Sequence, residues 1–133
     1  MIDVIMILLG GIMKLVLEEY IHTNLPKGYT PYYIYLIMLN NTEIGRLVYR
    51  LGDDEEHIFD GHIAYTIEEA YRGHHYAYEA CLLLDDIVHR DHYIITCDPN
   101  NMASQKTIIK LGGQYIETKT IPPHLKKFYT KEE

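Results

Sequence analysis

The chain has 133 residues, which is enough for one domain with a sizeable core and too few for two. Hydrophobic residues make up 47% and charged residues 23%, a balance that excludes an intrinsically disordered chain. The formal net charge of −7 argues against a general nucleic-acid-binding protein, because such a protein needs a basic surface to meet the phosphates, but it leaves room for one small anionic ligand.

The cysteines and the N-terminal residues bear on where the protein works. Cys81 and Cys97 form neither a CxxC pair nor a zinc-type spacing, so we expect no disulfide framework and no cysteine-based metal site. Free thiols without an export signal are typical of the reducing cytoplasm, which is the expected location. Residues 1–12 are apolar but too few for a membrane-crossing helix, which needs ~20 residues, so we expect no membrane role. We interpret them as a leader or as part of a first strand, with Met13 as an alternative start.

The predicted elements change from strands to helices along the chain. Mixed β-branched and apolar residues predict four successive strands, of which the second is apolar on both faces and therefore central in a sheet. After Gly73, apolar residues recur at three- and four-residue steps, which predicts a helix that ends near His89. A strand, a second helix and a last strand follow. The strands are predicted at 12–21, 32–40, 43–51, 57–67, 93–97 and 114–121, and the second helix at 101–111.

The step from strand to helix to strand decides the predicted fold class. Between residues 57 and 97 two strands flank one helix, and such a connection requires a parallel pair joined by a crossover. The second and third strands are predicted to form an antiparallel hairpin around the turn Asn40-Asn41-Thr42. The sheet is therefore predicted to be mixed, and the class α/β or α+β. The whole chain, 1–133, is expected to form one domain that ends in a polar tail at 122–133.

The most informative stretch for function is IAYTIEEAYRGHHYAYEA, residues 63–80. Here a predicted strand runs through a short acidic turn into a helix, and such a joint presents free backbone N–H groups and the positive end of the helix dipole. Phosphate groups are the natural ligand of that arrangement. Gly73 permits a tight turn, and Ala77 permits a ligand to approach the first helical turn closely. Further donors come from the side chains of Arg72, His74 and His75.

This layout resembles the coenzyme A pyrophosphate loop of the GNAT N-acetyltransferase superfamily. The loop pattern of that family is Arg or Gln, two residues, Gly, one residue, then Gly or Ala. Arg72 fills the first position and Ala77 the last, whereas His75 stands where the middle glycine is expected. A side chain at this position either narrows the space over the loop or points outward as an extra donor toward phosphate.

A second block, CDPNNMASQKTIIKLGG at residues 97–113, strengthens the resemblance. In the later motif of the family an Asn starts a helix, a Ser or Ala follows three residues on, and Leu-Gly closes it. Asn101, which is also a good helix N-cap, Ser104 and the pair Leu111-Gly112 fit those places. The two motifs occur in order, with one predicted helix and one predicted strand between them. The resemblance covers roughly residues 30–121.

The resemblance implies the fold, the cosubstrate and the residues that bind it. The fold would be the acyl-CoA N-acyltransferase fold, a mixed central sheet with helices on its faces, with abbreviated N-terminal helices and no final C-terminal strand. Acetyl-CoA would be the cosubstrate, without a metal, and the amide of Ile67 would polarise the thioester carbonyl while a primary amine attacks it. The implied cofactor-binding residues are Tyr65, Thr66, Ile67, Arg72, Gly73, His74, His75, Tyr76, Ala77, Asn101 and Ser104.

The catalytic acid and base are less well marked in the sequence. Position 108, where the family often has a tyrosine acid, is Ile108, so Tyr115 or Tyr76 would have to replace it, or water would. His62 and Glu68 are the candidate bases, and His62 is attractive because an imidazole titrates near neutral pH. The acceptor would be a small-molecule or peptide amine. A degenerate acyl-CoA-binding or sensory module without turnover remains the alternative function.

Three further expectations concern metals, thiols and assembly. Strand alternation over 57–67 would place Asp60 and His62 on one face and His57 on the other, so these three side chains are not expected to share a metal ion. Cys81 lies on the apolar stripe of the first helix and is expected to be a buried small hydrophobe. Because the last strand of the family is missing, the sheet would be either completed by a second chain in a homodimer or left open.

Overall fold

The computed structural model describes residues 12–121. The apolar leader up to residue 11 and the polar tail at 122–133 lie outside the described residues. The elements are β1 (Met13–Ile21), β2 (Tyr32–Leu39), β3 (Thr42–Arg50), β4 (Ile63–Ile67), a short 3₁₀ turn (Glu69–Tyr71), α1 (Tyr76–Val88) and α2 (Met102–Lys110).

The four strands form one sheet in the order β1-β2-β3-β4, and every neighbouring pair is antiparallel. The hairpin between β2 and β3 confirms the predicted turn: Asn40 and Asn41 both have positive φ, at 50° and 69°, a conformation that asparagine tolerates better than most residues. β2 lies between two partners, as its apolar character on both faces predicts. The loop between β1 and β2, residues 22–31, contains no helix.

The hydrophobic core lies between the sheet and α1. Ile37 and Leu47, on neighbouring strands, are fully buried, and so are Ala80 and Leu84 on α1. Cys81 is also part of this core at 4% exposure, and burial raises the pKa of its thiol to about 12. The expectation that Cys81 serves as a small buried hydrophobe is therefore confirmed.

The predicted fourth strand is too long at its N-terminal end. Residues 57–60 form turns, and β4 begins only at Ile63, because Gly61 has a φ of 76° and the His57 ring nitrogen Nδ1 lies 2.9 Å from Asp60 Oδ1. This side-chain pair closes a turn that an extended strand would not allow. The alternation of His57, Asp60 and His62 across two strand faces was therefore wrong.

Two further predicted strands are absent from the described part of the chain. Segment 93–97 runs beside the start of β4 without forming a strand, so the sheet contains no parallel pair there, and the fold is α+β with an antiparallel sheet. Residues 114–121 form no strand, and Ile116 in their midst is 77% exposed. Neither described helix is long and apolar enough to span a membrane.

Candidate functional site

The N-terminus of α1 carries a run of unpaired backbone amides. Within the described residues, neither a carbonyl nor a side chain accepts a hydrogen bond from the amides of residues 73–78. The amides of the first helical turn have no acceptor within the helix, and here no capping side chain accepts from them either. The loop and the first turn of this 13-residue helix therefore present donors and a positive dipole end to the solvent.

The backbone at His75 explains why the resembled loop pattern has glycine there. His75 is the residue before α1, and its φ of 63° and ψ of 22° place it in the left-handed region. Glycine reaches that region without steric cost, whereas other residues are strained by about 1–2 kcal/mol. The loop thus keeps the glycine conformation with a histidine in it. The side chains of His74 and His75 are both exposed, and the His74 ring lies 5.4 Å from that of Tyr76.

Arg72 ties the loop to the end of β4. Its Nε donates to the carbonyl oxygen of Ile67 at 2.9 Å. In the described part of the chain its two terminal nitrogens have no partner, and the side chain does not pair with the neighbouring Glu68 or Glu69. Arg72 therefore both fixes the loop and offers two N–H-bearing groups beside the unpaired amides.

One edge of β4 is open. The amide of Arg50 donates to the carbonyl of His62, and the amide of Glu68 donates to the carbonyl of Ile44, which fixes which residues of β4 hydrogen-bond with β3. Since this pairing alternates along an antiparallel strand, the backbone groups of Thr66 face β3. The backbone groups of three residues face the opposite edge: Ile63, Tyr65 and Ile67.

Of the three β4 residues predicted to contact the pantetheine arm, two have their backbone groups on the open edge. The amides of Tyr65 and Ile67 lie on it, as the predicted contacts with an acyl-CoA require. The backbone of Thr66 does not, because its N–H and C=O are directed to Arg46 on β3. The predicted backbone contact through Thr66 is therefore incompatible with the sheet.

The start of α2 is linked to β4 by side chains. Asn101 caps α2, as predicted, because its Oδ1 accepts from the amide of Ser104 at 3.1 Å. The hydroxyl of Tyr65 reaches the hydroxyl of Ser104 at 3.4 Å, and burial raises the pKa of this tyrosine. The structure thus brings together Asn101 and Ser104 from the later motif and Tyr65 from β4.

Segment 93–97 makes hydrogen bonds to the residues just before β4. The amide of His62 donates to the carbonyl of Ile94 at 2.7 Å, and Thr96 Oγ1 donates to the carbonyl of Phe59 at 3.2 Å. A Cβ at Gly61 would lie 3.0 Å from the carbonyl oxygen of Ile94, so the close approach requires glycine. These contacts involve residues 59–62, and no backbone hydrogen bond joins segment 93–97 to β4 itself.

The geometry argues against His62 as the base. The side chain is fully buried, Nε2 donates to the carbonyl of Gly52 at 3.0 Å, and Nδ1 accepts from the amide of Ile94 at 2.8 Å. Burial lowers the pKa of the ring, and both nitrogens are occupied. A proton taken from a substrate would have no free nitrogen to bind. The sequence suggests an ionisable group at this position, but it does not show that the ring is enclosed.

Tyr115 and Glu68 have very different surroundings from His62. Tyr115 is 79% exposed on the chain after α2, and its hydroxyl lies 2.9 Å from Thr118 Oγ1. Glu68 is exposed and directly follows β4. A shallow cavity beside it is lined by Glu43, Gly45, Arg46, Thr66 and Glu68.

A cluster of buried polar residues behind β4 was not foreseen from the sequence. His57 is 2% exposed, and its Nε2 donates to the carbonyl of Leu51 at 2.6 Å. Arg50 donates to the carbonyl of Asp60 at 2.8 Å and pairs with its carboxylate at 3.5 Å. No group of three or more potential metal ligands occurs among residues 12–121. This cluster fixes the turn from which β4 emerges.

A family model described as an acetyltransferase (GNAT) domain matches residues 16–114, about three quarters of the chain. The chain belongs to this GNAT family. The matched range contains most of β1, the other three strands, both helices, the 72–77 loop and Asn101. No curated protein and no solved structure matches the chain. Membership in the GNAT family makes the protein an acyltransferase by family, and it agrees with the α+β fold.

Proposed function

We propose that this GNAT protein transfers an acetyl group from acetyl-CoA to a primary amine of a small molecule or a peptide. The observation that supports the proposal best is the run of unpaired amides at residues 73–78, at the positive end of α1. A diphosphate suits such a run, because its oxygens accept several N–H bonds and its charge complements the helix dipole. Family membership supplies the independent reason to expect coenzyme A.

Gly73 lies on an open side of the loop. A Cβ at this position would meet no atom within 4 Å. The His75 ring makes no hydrogen bond that would hold it across the amides, and its backbone keeps the conformation expected of the glycine. The free nitrogens of Arg72 lie on the same loop. The residues present therefore fit the cofactor's phosphates.

The open edge of β4 would hold the pantetheine arm and the thioester. Acetyl-CoA supplies an activated acyl group. The edge-facing N–H and C=O of Tyr65 match the peptide-like bonds of the arm, and the Asn101 side chain at the start of α2 is the proposed partner on the other side. The amide of Ile67 is the proposed donor to the carbonyl oxygen on which charge develops. Holding the amine and the thioester together supplies most of the acceleration in this proposal.

The acceptor amine is proposed to enter beside Glu68. This exposed carboxylate follows β4 directly and lines a cavity with Glu43 and Arg46. Arg46 pairs with Glu43 at 3.8 Å, so the Glu68 carboxylate is the group proposed to attract the ammonium. Of the two candidate bases Glu68 is the one whose side chain reaches solvent, so it is the proposed acceptor of the ammonium proton. The acid that protonates the leaving thiolate is proposed to be water.

The alternative is an acyl-CoA-binding module without turnover. It is favoured by one observation, namely that His62 is enclosed and position 108 is Ile108, so that two places where acid–base chemistry was expected are not available for it. Binding of acetyl-CoA without thiol release across a panel of primary amines would select this alternative.

The test combines turnover with a charge substitution in the loop. Calorimetry with acetyl-CoA measures binding, and thiol release in the presence of small and peptide amines measures transfer. His75→Glu places a carboxylate over the unpaired amides and is expected to weaken binding about tenfold. His89→Glu is the matched control, because His89 is also exposed and left-handed but lies at the opposite end of α1. Equal binding by wild type and both variants would refute the phosphate site.

A further inference from the structure

His62 and Ile94 are joined by two reciprocal hydrogen bonds. The backbone amide of His62 donates to the carbonyl of Ile94, and the amide of Ile94 donates to the ring nitrogen Nδ1 of His62. In a regular parallel ladder, the amide of Ile94 would instead donate to the carbonyl of Asp60. In this structure that carbonyl accepts from the guanidinium of Arg50 at 2.8 Å instead. The imidazole therefore replaces the main-chain acceptor that the sheet would otherwise provide.

This link lies just before the open edge of β4. Segment 93–97 is held over Gly61 by its bonds to residues 59–62 and makes no backbone bond to β4. From there the chain leads to Asn101 and α2, which form the other side of the proposed pantetheine site. The position of Ile94 thus determines how far that chain stands from the edge of β4.

The surroundings of the ring require it to be neutral. Nε2 donates to the carbonyl of Gly52, which also accepts from Arg90 Nη2 at 3.0 Å, so Nδ1 must be the unprotonated nitrogen. Burial lowers the pKa of His62, and Arg90 and the His57 ring act in the same direction, whereas the hydrogen bond to Gly52 and the charge of Asp54 act against them. The ring of His57 lies 5.0 Å away.

The other charged groups behind β4 are engaged with one another. Asp54 pairs with Arg90 at 3.7 Å and with His92 at 2.7 Å. Asp60 pairs with Arg50 and with His57. No carboxylate is hydrogen-bonded to His62 within the described residues, so a protonated ring would have no carboxylate as a direct hydrogen-bond partner.

We propose that His62 is a positioning residue whose neutral ring clamps segment 93–97 to the start of β4, and that protonation releases the clamp. A protonated Nδ1 carries a hydrogen that faces the N–H of Ile94, so two donors oppose each other and the bond is lost. The segment then keeps the backbone bond from His62 to the carbonyl of Ile94 but loses the second bond, and it is held less firmly beside the edge of β4. Acetyl-CoA binding is thereby weakened in acid, a consequence that rests on the proposed function.

Two variants separate the hydrogen bond from the titration. The amide of Gln spans nearly the same two positions as the ring nitrogens, so His62→Gln can accept from Ile94 and donate to Gly52 without titrating. His62→Leu fills the space but leaves the amide of Ile94 without an acceptor. His57→Gln is the control, because His57 is equally buried but has no hydrogen bond to segment 93–97.

The experiment measures acetyl-CoA affinity by calorimetry near pH 7.5 and pH 5.5, and the exchange rate of the Ile94 amide by NMR, after a thermal melt confirms that each variant is folded. His62→Leu is expected to bind acetyl-CoA roughly tenfold more weakly and to exchange the Ile94 amide hydrogen faster, because that buried amide has lost its acceptor. His62→Gln should keep wild-type affinity at the higher pH. Wild type and His57→Gln should lose more acetyl-CoA affinity in acid than His62→Gln. The cofactor's own phosphate titrates equally in all three measurements, so its effect cancels in this comparison.

The outcomes separate the clamp from the proposed function. Fast Ile94 exchange in the wild type, or the same loss of affinity in acid for wild type and His62→Gln, would overturn the clamp. If His62→Leu proves unfolded, the exchange of Ile94 and the pH comparison with His62→Gln still decide. Slow, His62-dependent exchange of Ile94 in a protein that binds no acetyl-CoA would overturn the proposed function and the role of the clamp in binding, while supporting the clamp itself.

Discussion

The left-handed histidines at the two ends of α1 provide the sharpest prediction. His75 has a φ of 63° and His89 a φ of 55°, and both side chains are exposed. Each conformation costs about 1–2 kcal/mol for a residue with a Cβ. Glycine removes that strain but loses about 0.5–1 kcal/mol through the greater freedom of the unfolded chain. Each substitution to glycine is therefore expected to raise the free energy of unfolding by about 0.5–1 kcal/mol.

The two substitutions should differ in their effect on the cofactor. His75→Gly clears the space over the amides of residues 73–78 without changing the loop backbone, so acetyl-CoA is expected to bind at least as tightly as to the wild type. His89→Gly should leave binding unchanged, because His89 follows the last turn of α1. Urea unfolding measures the first effect and calorimetry the second. A tenfold loss of affinity in His75→Gly would show that the imidazole, rather than the backbone, binds the phosphates, and would refute the reasoning.

The remaining predictions concern pH, packing and capping. Because the pKa of His62 is lowered in the folded protein, the unfolded chain binds the proton more readily. The stabilisation from this group is therefore present above about pH 6.5 and is lost as the pH falls below it. Urea unfolding should show a decrease in the free energy of unfolding from neutral to acid pH, and a smaller decrease in His62→Gln. Leu84→Ala should lower the free energy of unfolding by about 2–5 kcal/mol, whereas Leu82→Ala, at 45% exposure on the same helix, should lower it by less than about 1 kcal/mol; equal losses would contradict the assigned core. Asn101→Ala should cost about 1 kcal/mol through loss of the α2 cap and Asn101→Asp much less, and an unchanged thermal midpoint in the alanine variant would rule the cap out.

The sequence predicts best those elements whose signals are local. The hairpin depends on two asparagines that tolerate positive φ, and α1 on an apolar stripe with Ala80 and Leu84 on one face. The unpaired amides before and in the first turn of α1 were also predictable, because they follow from any strand-to-helix joint. The backbone conformation at His75 follows from the place of this residue in the family's loop pattern.

The wrong predictions concern segments whose structure depends on contacts or backbone conformations that local sequence patterns do not show. HIFDGHIAYTI alternates like one strand, but the bond between His57 and Asp60 and the positive φ of Gly61 turn its first half. Segment 93–97 is apolar like a strand, yet Ile94 makes only one backbone bond to His62, and its own amide donates to the His62 ring instead of to a strand carbonyl. The same contact encloses His62, and neither composition nor spacing predicts burial of that kind.

An NMR titration of the ¹⁵N-labelled protein with coenzyme A tests the proposed phosphate site at the start of α1 most directly. We expect the largest amide shifts at residues 73–78, with further shifts at Tyr65 and Ile67 on the open edge of β4. Saturable binding with the largest shifts elsewhere, and with these amides unmoved, would contradict the proposed phosphate site.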